Sequence, residues 1–318
     1  MQITYLLLVH KSPIQMKRLI EALRYENACF CIHVDKKSDI KKFNDVVPQG
    51  DGVYYVDDDK RVDGRWGDLS MVEAAFETMR LALSLNREGH FVLLSGQDYP
   101  IRSNKYIKEF LSRHERNNFI SIYDVPDPKK TTENGGYERF ITWTYDCKNP
   151  KDGRMKAKIQ PLSFRLKTIG GFVRLAVYRP SLLPEGIRRW FKRRHYPDGL
   201  AMVFNEFWCA LTKEAVEKIL HIYSERDDIR EYYKYTHIPD ETLFGSVLNN
   251  DKDLKGSILP MCHYIDWDIS INGSPKTLEE EDMKKIEAAM EENPHILFAR
   301  KFEEGSRILD VIDSYRAN

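Results

Sequence analysis

The chain of 318 residues has no surplus of charge: 49 lysines and arginines meet 49 aspartates and glutamates. No global field draws it to nucleic acid, so nucleic-acid binding is not expected. It has no apolar run of the ~18 residues that a transmembrane helix needs. The opening Met1-Gln2-Ile3-Thr4-Tyr5-Leu6-Leu7-Leu8-Val9-His10 is apolar but short. Without a basic leader or a small-residue cleavage site, it reads as a strand rather than a signal peptide. Cysteine is scarce: Cys29, Cys31, Cys147, Cys209 and Cys262 are odd in number, scattered and without a CxxC pair. That argues against a disulfide framework or a zinc site, and fits a reducing cytoplasm. No His-x-x-His or His-Glu-x-x-His spacing supports zinc catalysis. Repeats and low-complexity stretches are also missing.

What is present is a β-α-β rhythm. The hydrophobic content of 42% suffices for a large core. Residues 3–9 form a continuous apolar run, as in a strand buried on both faces. Further strands are expected at 29–34, 52–56 and 90–94, with helices at 13–23, 71–85 and 104–113. In Cys29-Phe30-Cys31 alternation points both thiols to one side, into the core. The rhythm predicts an α/β fold, Rossmann-like, with a mostly parallel central sheet and helices on both faces. Ligands bind such sheets at the carboxyl ends of the strands. There the sequence becomes polar, with Asp35-Lys36-Lys37-Ser38 after one strand and Ser95-Gly96-Gln97-Asp98-Tyr99-Pro100 after another.

Residues 125–200 read as irregular, because Pro126, Pro128, Gly135, Gly136, Pro150, Gly153, Pro161, Gly170 and Gly171 break long elements. The segment ends in a basic cluster, Arg188-Arg189-Trp190-Phe191-Lys192-Arg193-Arg194-His195. Its cations around two aromatics suggest contact with an anionic membrane surface; cations solvating a helix with buried aromatics would leave the same pattern. Regular signals resume with a strand over 201–211, a helix to about Tyr223 and a helix from Pro239 to about Leu248. Thr277 and Glu280 suit a capping box for a helix ending near Glu292. A short strand at 296–302 and a helix from about Ser306 follow.

Several residues could carry chemistry, each with a plainer reading beside it. Asp35 at a strand end can accept hydrogen bonds from a ribose or base, or serve as an ordinary turn residue. Asp98 is a lone carboxylate, with Gly96 where a metal-binding Asp-x-Asp would have its first aspartate, so it makes a poor hard-cation site. Asp57/Asp59 and Asp266/Asp268 match Asp-x-Asp literally, the first in an acidic run typical of a solvated loop. Asp240 and Glu241 follow Pro239 at a helix start, where they complement the dipole or supply a rigid general base. Arg300-Lys301 is a cation pair in an apolar strand, where alternation sends the two to opposite faces; a buried cation needs an anion partner. Trp66, Trp208 and Trp267 could stack against sugars or belong to the core.

Taken in order, these segments resemble the core-2/I-branching β-1,6-N-acetylglucosaminyltransferases and peptide O-xylosyltransferases, grouped as glycosyltransferase family 14. The likeness runs through the Cys31 to Ser38 strand end, Trp66-Gly67 with Ser70, Asp98-Tyr99-Pro100-Ile101-Arg102-Ser103-Asn104, Phe207-Trp208-Cys209-Ala210-Leu211, Ile238-Pro239-Asp240-Glu241, Trp267, Gly273-Ser274-Pro275 and residues 297–302. The middle, 125–200, carries little of it. The resemblance implies one GT-A catalytic domain over 1–318, with a nucleotide-sugar half at 1–124, a basic insert at 125–200 and an acceptor half at 201–318. It implies inverting transfer without metal or cofactor. Glu241 matches the catalytic base. Arg300 and Lys301 match the cations that replace a metal at the diphosphate, with Lys276 as a possible further cation. Asp35, Asp98, Trp66 and Gly67 fall on the donor side; Trp208, Trp267 and Asp240 fall on the acceptor side. A UDP-sugar donor and a glycan or lipid-linked glycan acceptor follow, with UDP-GlcNAc ahead of UDP-xylose and UDP-galactose. The chain lacks the anchor, stem and many cysteines of animal members, so a bacterial-type cytoplasmic enzyme of surface-glycan synthesis is expected. A non-catalytic glycan-binding protein on the same scaffold is the rival from another class.

Overall fold

A computed structural model describes residues 2–127, 133–147, 155–267 and 274–317. Its main sheet has seven strands in the spatial order Ile258–Leu259, Asn118–Phe119, Ala210–Thr212, His90–Ser95, Ile3–Val9, Ala28–Val34, Val53–Tyr55. Neighbours of Ile3–Val9 pair with it in parallel on both sides. Ala210–Thr212 runs antiparallel to both of its own neighbours, so six of the seven strands share one direction.

The apolar run at 3–9 has a direct cause. Ile3, Tyr5, Leu7 and Val9 join the cluster with Met16, Leu19, Ile20 and Leu23 of the Pro13–Leu23 helix. Leu6 and Leu8 enter the opposite cluster with Val72, Ala75, Phe76 and Met79 of the Ser70–Ser84 helix. Both faces are covered, so neither register of the alternation can be polar. Cys29 and Cys31 share the second cluster while Phe30 enters the first, and all five cysteines are buried free thiols.

A smaller sheet sits at the carboxyl edge of the large one. Its strands are His263–Ile265, Phe298–Arg300 and Asp98–Pro100. The register places Arg300 opposite Asp98 on one side and Ile265 on the other.

Four expectations are corrected. Residues 201–211 are two strands: Val203–Asn205 pairs with Ile122–Asp124, and the chain enters the main sheet at Ala210. The link between, Glu206-Phe207-Trp208-Cys209, lies outside both strands, though the Glu206 amide donates to the Ser121 carbonyl and the Cys209 carbonyl accepts from the Leu93 amide. The helix expected from Pro239 is a short 3-10 turn, Pro239–Glu241, followed by Leu243–Leu248; Thr242, at φ −143°, separates them. The capping box is formed by Glu279 and Asp282 rather than by Thr277 and Glu280.

The fourth correction concerns residues 125–200. The segment holds a hairpin of Trp143–Asp146 and Lys156–Ile159 covered by the helices Leu166–Tyr178 and Leu183–Trp190. These share a core of Trp143, Tyr145, Cys147, Ala157, Ile159, Leu175 and Tyr235. Pro128, Pro150 and Gly153 lie outside the described residues, as do Asp268 and Gly273. Gly170 and Gly171 do not break the helix that contains them. Gly171 lets it press on the hairpin, since a Cβ there would come 2.3 Å from the Lys158 carbonyl oxygen. In the basic run, Arg189 and Arg194 are buried. Arg189 pairs with Glu185 at 2.8 Å and with Glu231, and stacks on Tyr235. Arg194 donates to the carbonyls of Arg139, Thr142 and Tyr232 and to the Thr236 hydroxyl. Both serve the fold rather than a membrane. Among the described residues no helix is long and apolar enough to cross a membrane.

The glycine pair yields a test of this packing. Gly171→Ala should destabilise by about 1–3 kcal/mol through overpacking. Gly170→Ala, with nothing within 4 Å of its Cβ, should instead stabilise by about 0.5–1 kcal/mol. Denaturant melts of the two variants would contradict the packing if both moved in the same direction.

Candidate active site

A cleft of about 610 Å³ opens where the parallel strands end. Leu8 and Val9, His33 and Asp35, and Ser95 and Gln97 bring three successive strand ends to its floor. Asp35 is fixed by backbone: its Oδ1 accepts from the Lys37 amide at 2.8 Å and its Oδ2 from the Gly64 amide at 3.0 Å. Beneath it Arg61, buried, donates to the carbonyls of Val34, Asp35 and Ser38 and so ties this loop together. His33 Nε2 accepts from the Val62 amide at 2.8 Å, and burial pulls its pKa down to about 4. It is therefore a neutral acceptor at neutral pH.

The cations lie on the small sheet. Arg300 and Lys301 both line the cleft, since the strand ends at Arg300 and alternation no longer separates them. The Arg300 guanidinium lies 4.1 Å above the Trp208 ring, and its Nε is 3.7 Å from Asp98 Oδ1. Its Nε and Nη1 are buried with no hydrogen-bond partner among the described residues, and desolvation lowers its pKa. Lys301 Nζ donates to Ser274 Oγ at 2.7 Å.

Asp98 stands behind this arrangement. It is fully buried, outside the cleft wall, and accepts from the Ser95 amide and, at 2.6 Å, from Ser95 Oγ. His263, 4.0 Å away, is also buried, and its pKa falls to about 4 through desolvation. The neutral imidazole leaves Asp98, and after it Glu206, as the countercharges acting on Arg300.

The cleft is also lined by the carboxylates Glu206, Asp240 and Glu241. Glu241 Oε2 accepts from Arg139 Nη1 at 2.5 Å. The Pro239–Glu241 turn is held by Asn205, which donates to the Asp240 carbonyl at 2.9 Å and accepts from the Gly245 amide at 2.9 Å. Asp240 has a buried Oδ1 with no hydrogen-bond partner among the described residues. Burial, and then the neighbouring Glu241, push its pKa up from 3.8 to about 7. Two adjacent carboxyls thus differ in environment, one paired with a cation and the other driven toward its neutral form.

The remaining expected residues divide. Trp66, Gly67, Trp208 and Trp267 line the cleft with Asp35, Asp240, Glu241, Arg300 and Lys301. Trp66 meets His237 edge-on at 5.8 Å, and Gly67, at φ +65°, accepts from the Ile238 amide. This joins the donor-side loop to the Glu241 turn. Trp267 is well exposed, whereas Trp208 carries Arg300 on its ring. Lys276 is not in the cleft wall; its Nζ is 2.6 Å from Asp282. Asp57 and Asp59 are exposed, and Asp266 is buried beside Lys285 at 3.1 Å. Arg139, Glu206, Asn205 and Arg61 were not singled out in the sequence. Arg139 lies 102 positions from Glu241, and no spacing signals such a pair.

Among known proteins, the family model for Core-2/I-Branching enzyme matches residues 3–289. Xylosyltransferase 2 of Homo sapiens is 26% identical over 343 residues, covering 98% of this chain and 33% of its own. Xylosyltransferase 1 of Rattus norvegicus is 24% identical over 342 residues, covering 99% and 35%. The chain spans about a third of the length of these curated relatives. The mostly parallel sheet between two helix layers is the GT-A type of α/β fold.

Asp240 gives the site a signature in pH. A carboxyl whose folded pKa is raised costs stability when ionised. The cost is absent below 3.8, grows between there and about 7, and is complete above. Asp240→Asn should therefore raise the melting temperature at pH 8 by at least ~2 °C, and this gain should vanish toward pH 4. A difference that does not change with pH would contradict the assignment.

Proposed function

The chain belongs to the Core-2/I-branching enzyme family, a family of glycosyltransferases, and from that premise we propose that it moves a sugar from a UDP-sugar to a glycan hydroxyl, with inversion and without a metal ion. The observation that carries the reading is Arg300: a guanidinium whose buried Nε and Nη1 have no hydrogen-bond partner among the described residues, on the same cleft as a fixed carboxylate, Glu241. A buried cation with unmet donors suits an anion such as a diphosphate.

The chemistry needs little more. Glu241 takes the proton of the acceptor hydroxyl as its oxygen bonds to the anomeric carbon in line. The bond from that carbon to the diphosphate oxygen breaks, and UDP leaves with the electron pair. Arg300 and Lys301 stabilise the charge that develops there, from fixed positions and without reorganisation. UDP is a good leaving group, so no strong general acid is required.

The donor is proposed as UDP-GlcNAc, from the core-2/I-branching description. The relatives named xylosyltransferase favour UDP-xylose as a second reading, and UDP release across a panel of sugar nucleotides separates the two. No release with any donor would favour a glycan-binding protein on this scaffold.

Glu241→Gln should keep donor binding and lose turnover by ~10²–10⁴-fold. Arg300→Met should weaken donor binding by at least ~10-fold, since a charge-assisted contact contributes at least ~1.5 kcal/mol. Activity should persist in EDTA. Near-normal turnover of Glu241→Gln would remove it as the base, and loss with chelator restored by Mn²⁺ would overturn the metal-free scheme.

A further inference from the structure

The helix Leu166–Tyr178 is apolar, yet it buries little of itself. Thr168, Gly171 and Leu175 face the hairpin. Leu166, Ile169, Val173 and Val177, spaced three or four apart along one stripe, are exposed, Leu166 at 86% and Val177 at 64%. The stripe continues beyond the helix. Phe164, 78% exposed, meets Trp190 edge-on at 5.0 Å, and Trp190 in turn meets Phe191, 66% exposed, at 4.8 Å. Leu162, also exposed, donates its amide to the Trp190 carbonyl. Isolated exposed apolar residues need no explanation, but a continuous face of this kind marks an interaction surface.

Charge identifies the occupant. From Arg154 to Pro184 the sequence contains no aspartate or glutamate. Arg165, Lys167 and Arg174 are exposed beside the apolar stripe, and Arg188, Lys192 and Arg193 around Phe191. We propose that this face docks on an anionic lipid bilayer, with Phe164, Phe191 and the stripe of Leu166, Ile169, Val173 and Val177 in the interface and the cations against the headgroups. An apolar helix face rimmed by Arg and Lys, with aromatics at one end, has the make-up of an in-plane interfacial element. A second copy of this chain fits less well, because a two-fold contact would set like basic rims against each other. The docking face differs from the basic run taken alone: Arg189 and Arg194 are structural, and the apolar anchor lies mainly on the preceding helix. The inference does not depend on the transferase chemistry.

The test is flotation of the full chain with vesicles of phosphatidylcholine, with or without phosphatidylglycerol. The chain should float with the mixed vesicles at low salt and be released at high salt, as screening predicts. Phe164→Ser/Phe191→Ser and Val173→Ser/Val177→Ser should each lower vesicle affinity by at least ~10-fold, from the apolar area withdrawn. Lys167→Glu/Arg174→Glu should remove the preference for phosphatidylglycerol. All six side chains are exposed, so each variant should keep a cooperative thermal melt, which checks that lost binding is not lost folding. No association at low salt, or binding that the apolar substitutions leave unchanged, would overturn the proposal. So would a dimer in solution that the same substitutions convert to monomer, which would assign the face to self-association.

Discussion

Burying a guanidinium costs several kcal/mol unless charge and geometry offset it, and the cleft is built around one. Arg300 is compensated by Asp98 at 3.7 Å and by the face of Trp208 at 4.1 Å. The first contact requires the strands Asp98–Pro100 and Phe298–Arg300 to pair in their observed register, because a one-residue slip would turn the carboxylate away. The second places Trp208 in the link between the strands Val203–Asn205 and Ala210–Thr212. Asp98 is itself oriented by Ser95, at the end of a main-sheet strand. The buried charge thus links the two sheets.

The carboxylates pose a different problem. Glu241 and Glu206 both act on Asp240, and carboxylates this close repel. Arg139 relieves Glu241, while Asp240 moves toward its neutral form. The cleft therefore holds one carboxylate paired with a cation beside a carboxyl driven toward neutrality.

Much of this was legible wherever one residue's surroundings lie within its own segment. The strand at 3–9 and the helices at 13–23 and 104–113 follow from apolar runs and period, and the polar strand ends at Asp35 and Ser95 mark the cleft floor. What failed depends on pairing between distant segments. A strand over 201–211 is the natural reading of its composition, but its two halves belong to different sheets. Gly170 and Gly171 read alike as breakers, yet one is open to space and the other lets a helix reach a hairpin. Arg189 and Arg194 read as surface cations because sequence does not show the Tyr235 and Tyr232 rings that receive them. Asp98 was legible as important and not as buried, since its role is to hold Arg300.

Arg194 shows why the 133–196 segment is more than an insert. Its acceptors are carbonyls and a hydroxyl from two places: Arg139 and Thr142 within the segment, Tyr232 and Thr236 beyond it. Burial lowers its pKa to about 10, leaving it charged at neutral pH and committed to these acceptors. Arg139 reaches Glu241 from this anchored stretch, and Tyr235 closes the segment's own core. The candidate base therefore takes its orientation from the same segment whose hairpin carries the exposed apolar helix Leu166–Tyr178.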